Sequence, residues 1–455
     1  MKPYRFTINE GEIEELRRRL AHTRWPEQLP GVEGWSKGVP VEQARGWAKE
    51  LTDFDWQALQ DELDGVPQFV TEIDGESIHF VHVPSTRDDA IPLLVLHGWP
   101  GTVIELIDLI EPLTSPPSPA NPAFHVVIPS HPGTGLSGPT TQPGWGVDRT
   151  ARAYAALMAE LGYNDYVVQG GDHGAVLAPH LGRVDPDHVR GIHVNAATIG
   201  FIPMGPVDEQ TLAQLSPVEQ RRVATIGAFL TDGNGYNVIQ ATRPQTIGYG
   251  LEDSPVALLT WIIDKVHAWT HAPATLAGPR YRQRHLANVV LFWLTRTATS
   301  TANNVYAEYA SLFANPNAFT NSGVPTAVIA FAEDPSIRRY AGTPNTPTPS
   351  SGGPTSTMAA TSPPSNNPTD SSPIYGRSSP NCPTPAQLAP PSTPTLLGQF
   401  SDDCRVRRRR TRRVHSVVHR TEPAVSRSDR SRRSAHGDCR ANQESPIRTA
   451  TRSRP

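Results

Sequence analysis

Cysteine is missing from the first 340 residues; Cys382, Cys404 and Cys439 all come later. A disulfide framework is therefore excluded for that part of the chain. No stretch approaches the roughly 18 consecutive apolar residues that a membrane-spanning helix needs. The opening MKPYRFTINEGEIEELRRRL lacks the apolar run of a secretory signal, so a cytoplasmic location is expected. Lysine is absent after Tyr340, where 17 arginines meet 7 acids and give a net charge of +10. Up to Tyr340 the balance is −13, with 24 basic residues against 37 acidic ones. The overall −3 is an average of two unlike pieces. An acidic body disfavours nucleic acid as its partner. All nine tryptophans lie in that body, and with its regular apolar runs they argue for a substantial core.

The apolar period divides the body. Residues 1–75 read as a helical N-terminal arm. Asn9 is placed to cap a helix whose Ile13, Leu16 and Leu20 share one face, and Thr23-Arg24-Trp25-Pro26 stops it. A second helical region covers about Val41 to Leu63. From residue 76 to 197 short strands alternate with helices. Ile78–Val83, Leu93–Leu96, Phe124–Ile128, Tyr166–Val168 and Gly191–Val194 are the strands, and Thr150–Leu161 is one of the helices. That alternation predicts an α/β fold with a parallel sheet covered on both faces. Residues 198–290 break it and read as an inserted helical cap. Residues 291–340 return to the core, with a strand at Val324–Phe331. Residues 341–455 are first Pro/Ser/Thr-rich, then Arg-rich, with no apolar period, so disorder is expected there.

The chemistry centres on Gly170-Gly171-Asp172-His173-Gly174, where a predicted strand meets a helix. A nucleophile on such a strained turn needs small residues two positions before and after it, and Gly170 and Gly174 supply them. A carboxylate suits attack at a saturated carbon, giving a covalent ester. Hydrolysis of that ester needs a general base and an oxyanion hole. The backbone N–H groups of Trp99, in His97-Gly98-Trp99-Pro100-Gly101, and of His173 are the candidate donors. A Gly-Gly-Asp-x-Gly run alone is often an ordinary turn. Two such loops, each closing a predicted strand in the right order, are far more specific.

Together these motifs resemble the microsomal-type epoxide hydrolases, which join a helical N-terminal arm, an α/β-hydrolase core and a helical cap. The arm carries Pro3-Tyr4-Arg5-Phe6, Thr23-Arg24-Trp25-Pro26 and Pro67-Gln68-Phe69, and the likeness runs over roughly residues 3–340. The resemblance implies hydrolysis of an epoxide to a vicinal diol, with no cofactor and no metal. Asp172 would open the ring. Two cap tyrosines would hydrogen-bond the epoxide oxygen; the matching positions are Tyr236 and Tyr306, with Tyr249 and Tyr309 as fallbacks. A relay acid would follow the Val324–Phe331 strand, at Asp334 or its neighbour Glu333. The expected partners are a small hydrophobic epoxide and water, with a homodimer possible. No nucleic acid or membrane is expected for the body.

Asp64 stands where family members often carry Asn, a change neutral for catalysis, and two further departures touch the site. His173 stands where the family usually has Trp. The family's base, a His in a Gly-Gly-His-Phe-Ala-Ala run, is missing; His415, His419 and His436 sit among arginines with no strand before them. Thr357–Pro364 (TMAATSPP) can be encoded so that one added nucleotide and a shifted frame yield Asp-His-Gly-Gly-His-Phe-Ala-Ala. A frameshift between about Ala332 and Thr357 would make the tail an out-of-frame translation, and full turnover by this chain would be impaired. Two other readings compete. A haloalkane dehalogenase also uses an Asp nucleophile, but its halide-binding Trp would be His173 here. The basic tail could bind nucleic acid, yet it has no aromatic interleaving.

Overall fold

The computed structural model describes residues 1–195, 207–270, 278–314 and 320–329. All of them fall within one structural unit. The expected tail, and with it Glu333 and Asp334, lies outside these residues.

Eight strands form one sheet in the order β1-β2-β3-β5-β4-β6-β7-β8. They are β1 (Lys2–Pro3), β2 (Gln68–Ile73), β3 (Glu76–Val83), β4 (Ile91–Leu96), β5 (Phe124–Pro129), β6 (Tyr166–Gly171), β7 (Val189–Asn195) and β8 (Thr326–Ile329). From β5 to β8 the pairing is parallel, while β1, β2 and β3 add an antiparallel edge. The sheet is therefore mixed, where the alternation of elements predicted a parallel one. The arm is also not wholly helical. Gln68–Ile73 pairs with β3 because its short run follows Pro67 and is turned back by Asp74-Gly75, both with positive φ.

The helices of the arm are α1 (Glu10–Ala21), α2 (Val41–Thr52) and α3 (Trp56–Asp64). Asn9 caps α1 by accepting the Gly11 N–H at 2.8 Å, and Ile13, Leu16 and Leu20 are its buried face. In the core, α4 (Ile110–Thr114), α5 (Val147–Glu160) and α6 (His173–Val184) connect the strands. The cap region contains α7 (Glu209–Gln214), α8 (Pro217–Ala228), α9 (Gly235–Thr242), α10 (Pro244–Asp253) and α11 (Pro255–Trp269). Then come α12 (Pro279–Thr295), which runs without a break through residue 290, and α13 (Ala298–Ala314).

Strand periodicity decides which core each side chain joins. Leu93 and Val95 of β4, with Val126 and Ile128 of β5, pack with the arm and with α11 and α12. Leu94, Leu96 and Val127 face the opposite way and pack with α5 and α6. Each fully buried side chain of this size stabilises the fold by roughly 1.5–3 kcal/mol. The two layers clamp the sheet, so the loops at the C-terminal ends of β4, β5 and β6 sit on a rigid base.

Candidate active site

Asp172 lies between β6 and α6 with φ +52° and ψ −119°, a strained conformation for a residue with a side chain. The strain persists because the backbone around it leaves no room to relax. A Cβ on Gly170 would stand 2.1 Å from the Gly174 carbonyl oxygen, and one on Gly174 would stand 2.5 Å from that of Leu96. A Cβ on Gly98 would lie 2.4 Å from the Asp172 Cβ. Glycine at 98, 170 and 174 is thus a packing requirement of the elbow.

The Trp99 N–H donates to Asp172 Oδ1 at 2.8 Å. The His173 N–H also donates to this carboxyl and, with Trp99, favours the charged form. Surrounding protein atoms work against them and raise the Asp172 pKa from its ordinary value, with Glu308 adding to the rise. The side chain nevertheless stays accessible from the cleft.

His97 holds the loop in place from below. Its Nε2 accepts the His131 N–H at 3.2 Å, and the His131 ring reaches the His97 carbonyl at 2.8 Å through Nε2. His131 Nδ1 meets the Tyr154 hydroxyl at 2.5 Å. Burial keeps both imidazoles neutral: His97 is lowered to about 4 and His131 lies well below the usual value.

On the cap side, Tyr236 of α9 stacks on Trp99 with centroids 5.0 Å apart, and Trp269 meets both rings edge-on. Burial, then the nearby Asp172, Tyr309 and Glu308, push the Tyr236 phenol far above its normal value, so it stays protonated. Next to it, Asn237 Nδ2 donates to the Tyr309 hydroxyl. Tyr306, one turn earlier on α13, is 51% exposed, and Tyr249 is 71% exposed. Among the described residues no hydrogen bond or ring contact engages Tyr306. The structure therefore brings together Asp172, Trp99, His173 and Tyr236, with Tyr309 beside Tyr236. Asp334 and Glu333 lie outside the described residues.

Three nearby side chains were not singled out from the sequence. Glu308 pairs with His173, Oε2 to Nδ1, at 2.8 Å. Glu105, pushed up to about 7 mainly by its dense surroundings, accepts from Asn288 Nδ2 at 2.7 Å and senses Asp172. Asn288 in turn accepts from Thr102 Oγ1 at 2.8 Å. Nothing in their sequence context marks them, because the partners are 135 to 186 positions away along the chain. A cavity of about 870 Å³ opens beside Tyr236, between α1, α2 and α11, with Trp25, Trp261 and Lys265 in its wall. Asp172 does not line it. Among the described residues no three His, Cys, Asp or Glu side chains converge as metal ligands would, and no helix is long and apolar enough to cross a membrane.

A strained elbow, backbone donors on its carboxylate and a mixed eight-stranded sheet define an α/β-hydrolase. Residues 91–341 match the alpha/beta hydrolase fold family, and residues 1–106 match the epoxide hydrolase N terminus family. A protein of Stigmatella aurantiaca assigned to the epoxide hydrolases is 41% identical over 312 residues, covering 68% of this chain and 69% of that one. The juvenile hormone epoxide hydrolase of Bombyx mori is 33% identical over 331 residues, covering 68% and 70%. The solved structure of Aspergillus niger epoxide hydrolase superposes with a TM-score of 0.63 at 30% identity, over 74% of this chain and 86% of that one. The chain belongs to the epoxide hydrolase family.

Proposed function

We propose that Asp172 is the nucleophile of this epoxide hydrolase. Its carboxylate displaces the epoxide oxygen from one ring carbon and forms an ester. Tyr236 donates its phenolic proton to the departing oxygen, helped by a second tyrosine. The resemblance puts that second donor at Tyr306; the hydroxyl beside Tyr236 belongs to Tyr309. A phenol suits this role because it is protonated at neutral pH. Water then attacks the ester carbonyl, and the Trp99 and His173 N–H groups stabilise the oxyanion. The observation that carries this reading is the 2.8 Å contact from the Trp99 N–H to an Asp172 side chain held at positive φ.

The Trp99, Tyr236 and Trp269 rings favour a small hydrophobic epoxide as substrate, in keeping with a detoxifying role in the cytoplasm. The domain limits inferred from the sequence and a relay acid at Asp334 or Glu333 belong to the same reading, as does a homodimer. The absent Gly-Gly-His-Phe run makes the second half-reaction slow in this chain, and a frameshift upstream of Thr357 accounts for the absence. Reading the coding DNA across residues 332–368 tests that part: if no alternative frame encodes Gly-Gly-His-Phe, the frameshift is refuted. Intact-mass and peptide mass spectrometry after treatment with styrene oxide tests the nucleophile. One adduct on the Asp172 peptide is expected, and an unmodified Asp172 refutes the assignment.

A further inference from the structure

The residue after the nucleophile carries a device of its own. His173 is the first residue of α6, so its ring projects from the same turn as Asp172. Its Nδ1 lies 2.8 Å from Glu308 Oε2, on the facing helix α13. The Glu308 side chain is 10% exposed and that of His173 is 22% exposed. The carboxylate is therefore largely buried, while the imidazole keeps an edge toward solvent. Among the described residues nothing hydrogen-bonds to His173 Nε2. The His131 ring stands edge-on to it at 5.1 Å and limits how it can turn. A carboxylate on one ring nitrogen, with the other left open, is the arrangement that makes an imidazole a directed base.

We propose that the His173–Glu308 pair is the acid–base group for ester hydrolysis in this chain, in the role left open by the missing motif. The proposal rests on the reading of Asp172 as the nucleophile. With Nδ1–H directed to Glu308, the Nε2 lone pair takes a proton from water as that water's oxygen bonds to Asp172 Cγ. The carbonyl electrons move onto the oxygen held by the Trp99 and His173 N–H groups. They then return and break the bond between Cγ and the ester oxygen. The diol oxygen leaves with that electron pair and takes the proton back from Nε2. Asp172 is left as a carboxylic acid carrying one oxygen from water, and it loses its proton to solvent. No oxidant or co-reactant is needed.

The charged and titratable groups around His173 agree with this role. Burial lowers its pKa, but Glu308 and then Asp172 outweigh burial and raise it above 6.5. His131 and His97, on the loops beneath, both stay neutral and add little opposing charge. Glu308 is also sensed by Tyr236, Tyr309 and His180.

The test uses the full chain and styrene oxide in single-turnover mode. The adduct is trapped, excess epoxide is removed, and adduct decay is followed by intact mass in heavy-oxygen water from pH 5 to 9. The unmodified chain is expected to lose its adduct slowly and to incorporate heavy oxygen at Asp172. The decay rate should rise with pH as His173, held beside Glu308, loses its proton. His173→Gln should form the adduct but lose it about 100-fold more slowly, the lower range for removing a general base. Glu308→Gln keeps His173 and a neutral partner; its decay should be slower and its midpoint should move down in pH. It also decides the matter if His173→Gln fails to fold. Equal decay in His173→Gln, or an unchanged pH midpoint in Glu308→Gln, overturns the proposal. An unmodified chain that forms no adduct overturns the nucleophile reading itself, and this proposal with it.

Discussion

The two sides of the cleft are built by different means. On the elbow side, backbone touches backbone: glycine at 98, 170 and 174 lets three chain segments approach until no Cβ fits. On the cap side, ring touches ring: Tyr236 is placed by Trp99, Trp269 and the Lys265 ammonium 4.9 Å from its centroid. Close backbone approach fixes an atom but tolerates no added carbon. Side-chain stacking tolerates loss of a hydroxyl, and it can place a phenol with less cost to the fold. Nucleophile and oxyanion donors need fixed geometry through two steps, while a proton donor acts in one. The division matches the roles proposed for Asp172 and Tyr236.

Substitutions on the two sides should differ in kind. The largest effect is expected from Asp172→Asn: no ester should form with styrene oxide by intact mass. The folded state should lose no stability in urea melts, since the charge removed is one that its surroundings disfavour. A loss of stability would mean the elbow needs the charge. Gly98→Ala comes next. A methyl 2.4 Å from the Asp172 Cβ must displace that side chain. Stability should drop by about 1–3 kcal/mol, and ester formation should fall with it. Normal ester formation would show the elbow to be more yielding than its packing implies.

Tyr236→Phe keeps the stack on Trp99 and removes only the hydroxyl, the proposed proton donor. Ring opening should slow about 100-fold in rapid-quench experiments, with ester decay unchanged. A change in decay alone would remove Tyr236 from the first step. Smaller again is the contrast between the tyrosines of α13. Tyr309→Phe should slow ring opening more than Tyr306→Phe, because Asn237 holds the Tyr309 hydroxyl beside Tyr236. The reverse order would return the role to the position the family resemblance selects.

The layer beneath both sides carries a prediction of another kind, one of pH. His79, lowered to about 3, and His97, lowered to about 4, are buried and neutral in the folded state. The unfolded chain binds more protons than the folded one below about 6.5, so stability is full above that pH. It should decline as the pH falls toward 4 and then 3. Thermal melts between pH 7 and 4 check this; a flat profile would mean these imidazoles charge without unfolding.

The elbow and the loop beside it were legible because their signals are local. Asp172 announced itself through flanking glycines and a short apolar strand, Tyr166–Val168, that runs into Gly170. Trp99 did so through a His-Gly-Trp-Pro run after an apolar strand. The strand β2 was not legible, since six residues after a helical arm carry too little period to outweigh their surroundings. The choice among Tyr306, Tyr309 and Tyr249 was not legible either. All three sit on helices whose cleft-facing side depends on how cap and core dock.

By itself, the sequence determined the family, the elbow and the absence of the family's histidine run, because each is written in contiguous residues whose backbone demands are local. Tertiary structure alone decided that His173 meets Glu308, that Glu105 meets Asn288, and that Tyr309 meets Asn237, the neighbour of Tyr236. Those contacts join residues 72 to 183 positions apart. Only the packing of α12 and α13 against the strand ends brings them within hydrogen-bonding reach, and no local pattern encodes that distance.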